Sequence, residues 1–243
     1  MRRHPAALAA SLVLLCAGCQ NPPGYPGPAE VRPSQVEDFA SLYAQNCAGC
    51  HGATGENGPA TDLANPEYEA LVDDAAMRKA TANGMPGTLM PAFARSAGGT
   101  LTDKQIDALV AGMRQHWQKP NVFGGAAPPP YAQAKPGDAQ HGEQTYKARC
   151  AICHQSSPQE ITGKTYLALV SDQALRTFII AGRQDIGQPD WRHDSRDGKP
   201  AAPLTSEEVD DIVTYLSTLR NPAAISQQAG NAANPGSEMH APR

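Results

Sequence analysis

Aromatic side chains are scarce in this chain, at 5% of its 243 residues, so cores must be built mainly from aliphatic groups. Glycine and proline together number 44, which is loop material more than long regular elements. A surplus of basic charge is missing too. The formal net charge is −4, with 10 acids against 5 bases in residues 34–118 and 12 against 9 in 136–222. Nucleic-acid binding needs a basic face, so no nucleic-acid partner is expected. A mildly acidic surface favours a basic-faced protein partner.

Long apolar runs are absent as well. The longest, Ala6 to Leu15, is too short to span a bilayer. It follows Arg2-Arg3 and ends in Leu15-Cys16-Ala17-Gly18-Cys19, which resembles a bacterial lipoprotein signal. That resemblance implies removal of residues 1–18, a lipid on Cys19, and an exported chain tethered to a membrane, facing the periplasm or the cell exterior; the alternative is a plain signal peptide that leaves the exported chain without lipid.

Cysteine is in short supply. Of six, Cys16 would leave with the signal and Cys19 would carry lipid. The other four lie in Cys47-Ala-Gly-Cys50-His51 and Cys150-Ala-Ile-Cys153-His154. None is left for a disulfide.

Proline-rich stretches divide the rest. Residues 19–33 read as an extended tether and 120–136 as a linker. Residues 223–243 are rich in Ala, Asn and Gly and read as a disordered tail. Segments 34–119 and 137–222 repeat one pattern. Tyr43 and Tyr146 each precede a first motif Cys by four residues. Leu101-Thr102 and Leu204-Thr205 each start 50 residues after a motif His. Both segments read as helical. Residues 35–46 place Val36, Phe39, Leu42 and Tyr43 on one face. Thr102 with Gln105, and Thr205 with Glu208, have capping-box spacing. The helices they start bury Ile106, Leu109, Val110 and Met113, and Val209, Ile212, Val213 and Leu216. Middle helices are expected near 70–83 and 171–181.

C-x-x-C-H places two thiols and an imidazole on one short turn. The thiols add across the two haem vinyl groups and the adjacent His ligates iron, whereas zinc or dithiol chemistry does not need that His. Two haem c groups are therefore expected, held by Cys47, Cys50, Cys150 and Cys153 and ligated by His51 and His154. They also supply apolar volume that the side chains lack. For the sixth ligand of the first iron, Met90, in Met90-Pro91-Ala92-Phe93, is preferred over Met85, which precedes Pro86 and flexible Gly87. A thioether opposite His raises the reduction potential.

The first segment resembles a class I cytochrome c domain, through Tyr43, the motif and Gly52, Gly58-Pro59, Met90-Pro91-Ala92-Phe93 and the helix from Thr102. The resemblance implies that Pro59 packs on His51 and that backbone oxygen there orients its ring. The second segment resembles the same family but has no methionine between His154 and Arg220. Aligning Gly84 with Gly182 lays Gln188-Pro189-Asp190-Trp191 over Met90-Pro91-Ala92-Phe93, with five residues inserted near 192–196. An ungapped alignment instead puts His193 at Met90's distance from the motif. Three states stay open for the second iron: a weak Gln188 ligand, a His193 ligand, or an open site.

The whole reads as an all-α chain of two tandem class I cytochrome c domains, each a few helices around one haem. Its expected role is electron transfer, as a membrane-anchored carrier or the cytochrome subunit of a respiratory or dehydrogenase complex, serving redox partner proteins. The alternative is a peroxidase-like dihaem enzyme using the second iron, with Asp190, Arg192 and His193 worth testing. Arg176 and Arg183 are expected either at a propionate or in solvent. His116 and His141 are expected at the surface, and Met77 and Met113 in the core.

Overall fold

The computed structural model describes residues 31–133, 135–154, 160–192 and 202–220. The expected signal segment, Cys19, His193 and the tail lie outside these described residues. The chain divides into two units, Met1–Gln35 and Val36–Arg243. Of the first, residues 31–35 are described and carry a 3₁₀ turn at Pro33–Gln35, where the Gln35 N–H donates to the Arg32 carbonyl at 2.8 Å.

The second unit contains both repeats. The first contributes α1 (Phe39–Asn46), α2 (Ala48–His51), α3 (Pro66–Leu71), α4 (Asp74–Asn83) and α5 (Asp103–Trp117). The second repeats the order as α6 (Ala139–Arg149), α7 (Ala151–His154), α8 (Lys164–Leu169), α9 (Asp172–Ala181) and α10 (Ser206–Thr218). Among the described residues the β-structure is limited to isolated bridges, so the fold is all-α.

Local chemistry sets the boundaries. Side chains of Asp38, Asn65, Asp73, Asp138 and Ser171 accept backbone N–H groups of the first turns that follow them, and Pro66 sits at the start of α3. Both expected capping boxes form, at Thr102 with Gln105 and at Thr205 with Glu208. The first helix differs from expectation. It starts at Phe39 because Asp38 caps the Ser41 N–H at 2.8 Å, leaving Val36 outside to accept from the Gln105 side chain at 2.9 Å. The short helices α3 and α8 were not legible as apolar periodicity, being only 6 residues each.

Each repeat has its own core. The first joins Leu42, Tyr43, Leu101, Ile106 and Leu109, with Val72, Met77, Val110 and Met113 adjoining. The second joins Tyr146, Leu175, Ile180, Trp191, Val209, Ile212, Val213 and Leu216. The α6–α10 crossing depends on a glycine. A Cβ on Gly142 would lie 2.0 Å from the Asp211 carbonyl oxygen, so any side chain there pushes the backbones apart. Gly142→Ala should cost about 2 kcal/mol or more, read as a lower midpoint in chemical denaturation. An unchanged midpoint would mean that the helices cross at a greater distance.

One buried carboxylate adds a pH dependence. Glu69 on α3 is 1% exposed and pairs with Arg114 on α5 at 2.8 Å, while its other oxygen has no hydrogen-bond partner among the described residues. Arg114 also grips Asp74 at 2.7 Å and the backbone carbonyls of Glu69 and Val72. Burial pushes the Glu69 carboxyl up from 4.5 to about 6, against the opposing pull of Arg114. The folded chain therefore binds this proton more tightly than the unfolded chain does. Its contribution to stability falls as pH rises through that window. Glu69→Gln should flatten the pH–stability curve there, by on the order of 1 kcal/mol. Denaturation curves at several pH values check this, and an unaltered slope would sink it.

Candidate haem sites

The first motif sits where α1 ends. Cys47 closes α1 and starts α2, which carries Cys50 and His51 and ends at Gly52 in a positive-φ conformation (φ 83°). The Tyr43 hydroxyl donates to the Gly52 carbonyl at 2.9 Å and so braces the end of the turn. This explains a tyrosine four residues before the first Cys. In the second repeat the Tyr146 hydroxyl reaches the His154 carbonyl at 3.4 Å. Both phenols are buried, which pushes their pKa values upward.

The His51 ring is oriented by a carbonyl, but not the expected one. Its Nδ1 lies 2.7 Å from the Thr61 oxygen, while Pro59 is exposed. The loop between Gly52 and Thr61 doubles back so that Gly58 packs on the motif backbone, which carries Thr61 past Pro59 to the ring. A carbonyl only accepts, so Nδ1 carries the proton and Nε2 keeps its lone pair for a metal. Burial holds His51 below the usual imidazole range. The Thr61 carbonyl pulls it up and nearby Arg183 pushes it further down.

The four motif cysteines form no disulfide. Before any haem is attached, burial pushes the Cys47 and Cys150 thiols up to about 11.

The far-side loops have matching backbones. Gly84 ends α4 and Gly182 ends α9, both with positive φ (68° and 73°). A Cβ on Gly84 would meet the Met90 oxygen, the Ala92 nitrogen and the Pro91 carbon, all within 2.7 Å. A Cβ on Gly182 would meet the Gln188 oxygen, the Asp190 nitrogen and the Pro189 carbon, all within 2.9 Å. The Phe93 N–H bonds to the Thr81 carbonyl and the Trp191 N–H to the Ile180 carbonyl, and each then accepts from Leu101 or Leu204. Gln188 therefore holds Met90's backbone place. Its side-chain NH₂ donates to the Phe178 carbonyl at 2.7 Å. The insertion falls after this match, between Trp191 and Leu204, and His193 lies within it, outside the described residues.

The neighbouring residues have other uses. Arg176 is not in solvent: it is 1% exposed, pairs with Asp210, and donates to the Pro130 carbonyl at 2.8 Å. Arg183 is 9% exposed and bound to Asp185. Arg192 pairs with Asp190 at 2.6 Å and with Glu67 at 3.4 Å, and lies over the Phe123 ring. Met77 and Met113 are core residues. Trp117 packs edge-on against Tyr43. His116 and His141 are exposed, with His141 Nδ1 2.6 Å from Asp211. Thr61 was invisible as a site residue in the sequence, because its contact with His51 depends on a loop reversal.

The donor set fits covalently bound haem. Each motif offers two unpaired thiols and an imidazole on one turn. The Trp191 indole N–H is buried without an acceptor among the described residues, as suits the edge of a group carrying carboxylates. Bound there, haem supplies a one-electron iron couple. No curated protein matches the chain. The family model for cytochrome c oxidase, cbb3-type, subunit III matches residues 34–111, and the one for cytochrome c matches residues 139–220. The chain thus belongs to the cytochrome c family, as two haem-binding electron-transfer domains in tandem.

Proposed function

We propose that the chain binds two haem c groups of unequal ligation and passes electrons between them. Cys47 and Cys50 with His51, and Cys150 and Cys153 with His154, hold the two groups. Met90 completes the first site. Gln188 or His193 faces the second iron, or that position stays open to a small ligand. The observation carrying this reading is the backbone match of Gln188 to Met90 at the ends of α9 and α4. Residue 188, whose side chain is an amide, corresponds in backbone position to residue 90, whose side chain is a thioether, and this supports unequal ligation. The absence of that thioether sets the second potential below the first.

The protein's part is to hold the groups rigidly, orient His51 through Thr61 and exclude water, with catalysis left to other proteins. In the cell the chain is an exported carrier, or the cytochrome subunit of a respiratory or dehydrogenase complex. A lipid on Cys19 anchors it to a membrane facing the periplasm or cell exterior, and it exchanges electrons with basic-faced partners. The apolar run before Cys19 supports this placement. No helix among the described residues is long and apolar enough to cross a membrane.

Intact-mass analysis of the exported protein should find two covalent haems and a lipidated Cys19 as the first residue. One haem, or an unmodified Cys19, would refute the corresponding half of the reading.

A further inference from the structure

The seam between the two domains joins their haem loops. From the first domain comes the 57–67 segment, which follows the motif, contains Thr61 and runs into α3. From the second comes the 181–192 segment, which contains Gln188. The Asn65 amide donates to the Ala181 and Gly182 carbonyls at 3.2 and 3.4 Å, and the Gln184 amide to Glu67 at 2.7 Å.

Arg183 links both loops through one residue. Its backbone N–H and carbonyl both pair with Gln188, at 3.0 and 2.9 Å. Its guanidinium donates to the Gly58 carbonyl at 3.3 Å. Gly58 rests on the back of the first motif, since a Cβ there would lie 2.3 Å from the Cys50 oxygen and 2.6 Å from the His51 carbonyl carbon. Asp185 holds the guanidinium at 2.8 and 2.7 Å and also accepts the Asn57 N–H at 3.3 Å. The corresponding residue after Gly84 is the uncharged Met85.

We propose that Arg183 is a positioning residue that couples the two haem sites, aligning the Gln188 loop through its backbone and biasing the first site's redox equilibrium through its charge. This rests on the two-haem reading above. A cation near a redox centre favours the reduced form, which carries one positive charge fewer. At 9% exposure, screening of that charge by salt is weak. Asp185 offsets part of it, so the two side chains act in opposite directions.

The test is a spectroelectrochemical titration of the purified two-haem protein and its Arg183→Gln, Arg183→Lys and Asp185→Asn variants, following each haem's midpoint. Arg183→Gln should shift the first site's midpoint down, Asp185→Asn should shift it up, and Arg183→Lys should restore most of the wild-type value. A purely structural role would lower thermal stability without opposite shifts, and that result overturns the proposal. So do unmoved midpoints in chains that retain both haems. If Arg183→Gln does not fold, Asp185→Asn decides alone, and an unmoved first midpoint overturns the proposal. A wild-type chain with fewer than two haems would instead refute the two-haem reading.

Discussion

Met90→Ala should abolish the sulfur-to-iron absorption band near the red end of the oxidised spectrum. It should also lower the first site's midpoint by on the order of 100 mV, a fraction of the roughly 0.8 V that axial ligands span. A thioether opposite histidine stabilises the reduced iron, and alanine offers no replacement. The loop should survive the change, which keeps the result interpretable. The Met85 N–H donates to the Met90 carbonyl at 3.1 Å, and the Thr88 hydroxyl to the Met85 carbonyl at 2.7 Å. The Thr88 oxygen also accepts the Met90 N–H at 3.2 Å. None of these bonds uses the Met90 side chain. Met85→Ala is the control and should leave the band intact. If Met85→Ala removes the band and Met90→Ala does not, the ligand assignment is reversed.

Gln188→Met is expected to have the opposite effect at the second site. It should add a second sulfur-to-iron band and raise that midpoint, by a similar order of 100 mV. Any high-spin signal from the second iron should disappear. The backbone needs little adjustment, because Gly182 and the carbonyl of residue 188 meet as Gly84 and the Met90 carbonyl do. The cost is the amide bond to the Phe178 carbonyl, about 1 kcal/mol. A two-haem Gln188→Met protein with an unaltered spectrum would mean that another residue, such as His193, already holds the iron. Adding His193→Ala to that variant then separates an occupied far side from a misplaced methionine.

Much of the candidate site was readable because its chemistry is local. C-x-x-C-H brings its own ligands together within one turn, α2 or α7, whatever surrounds it. The capping boxes at Thr102 and Thr205 are equally local, and the apolar stripes of α5 and α10 follow from helical period. The start of α1 is less legible, because Val36 continues the apolar pattern while the Asp38 side chain satisfies the first turn. The alignment of Gln188 with Met90 was inferred from Gly, Pro and an aromatic at matched spacing. The fold supplies its physical reason, since a glycine at positive φ lets the loop backbone close tightly on the helix end.

Other features depended on groups far apart in the chain. Thr61 replaces Pro59 at His51 because of how a ten-residue loop folds back, and no local propensity sets that register. Arg176 and Arg183 carry charges that burial tolerates only with partners: Asp210 meets Arg176 across 34 residues, and Arg183, paired with Asp185 two residues on, also meets the Gly58 carbonyl across 125. By itself, the sequence determined that there are two haem motifs and that only the first domain has methionines in the far-side loop, because covalent attachment and ligand type reside in single side chains. The tertiary structure decided which carbonyl orients His51 and that the Gln188 loop lies against the back of the first motif. Those contacts span 10 and 125 residues, and only the folding back of the chain brings such partners within hydrogen-bond reach.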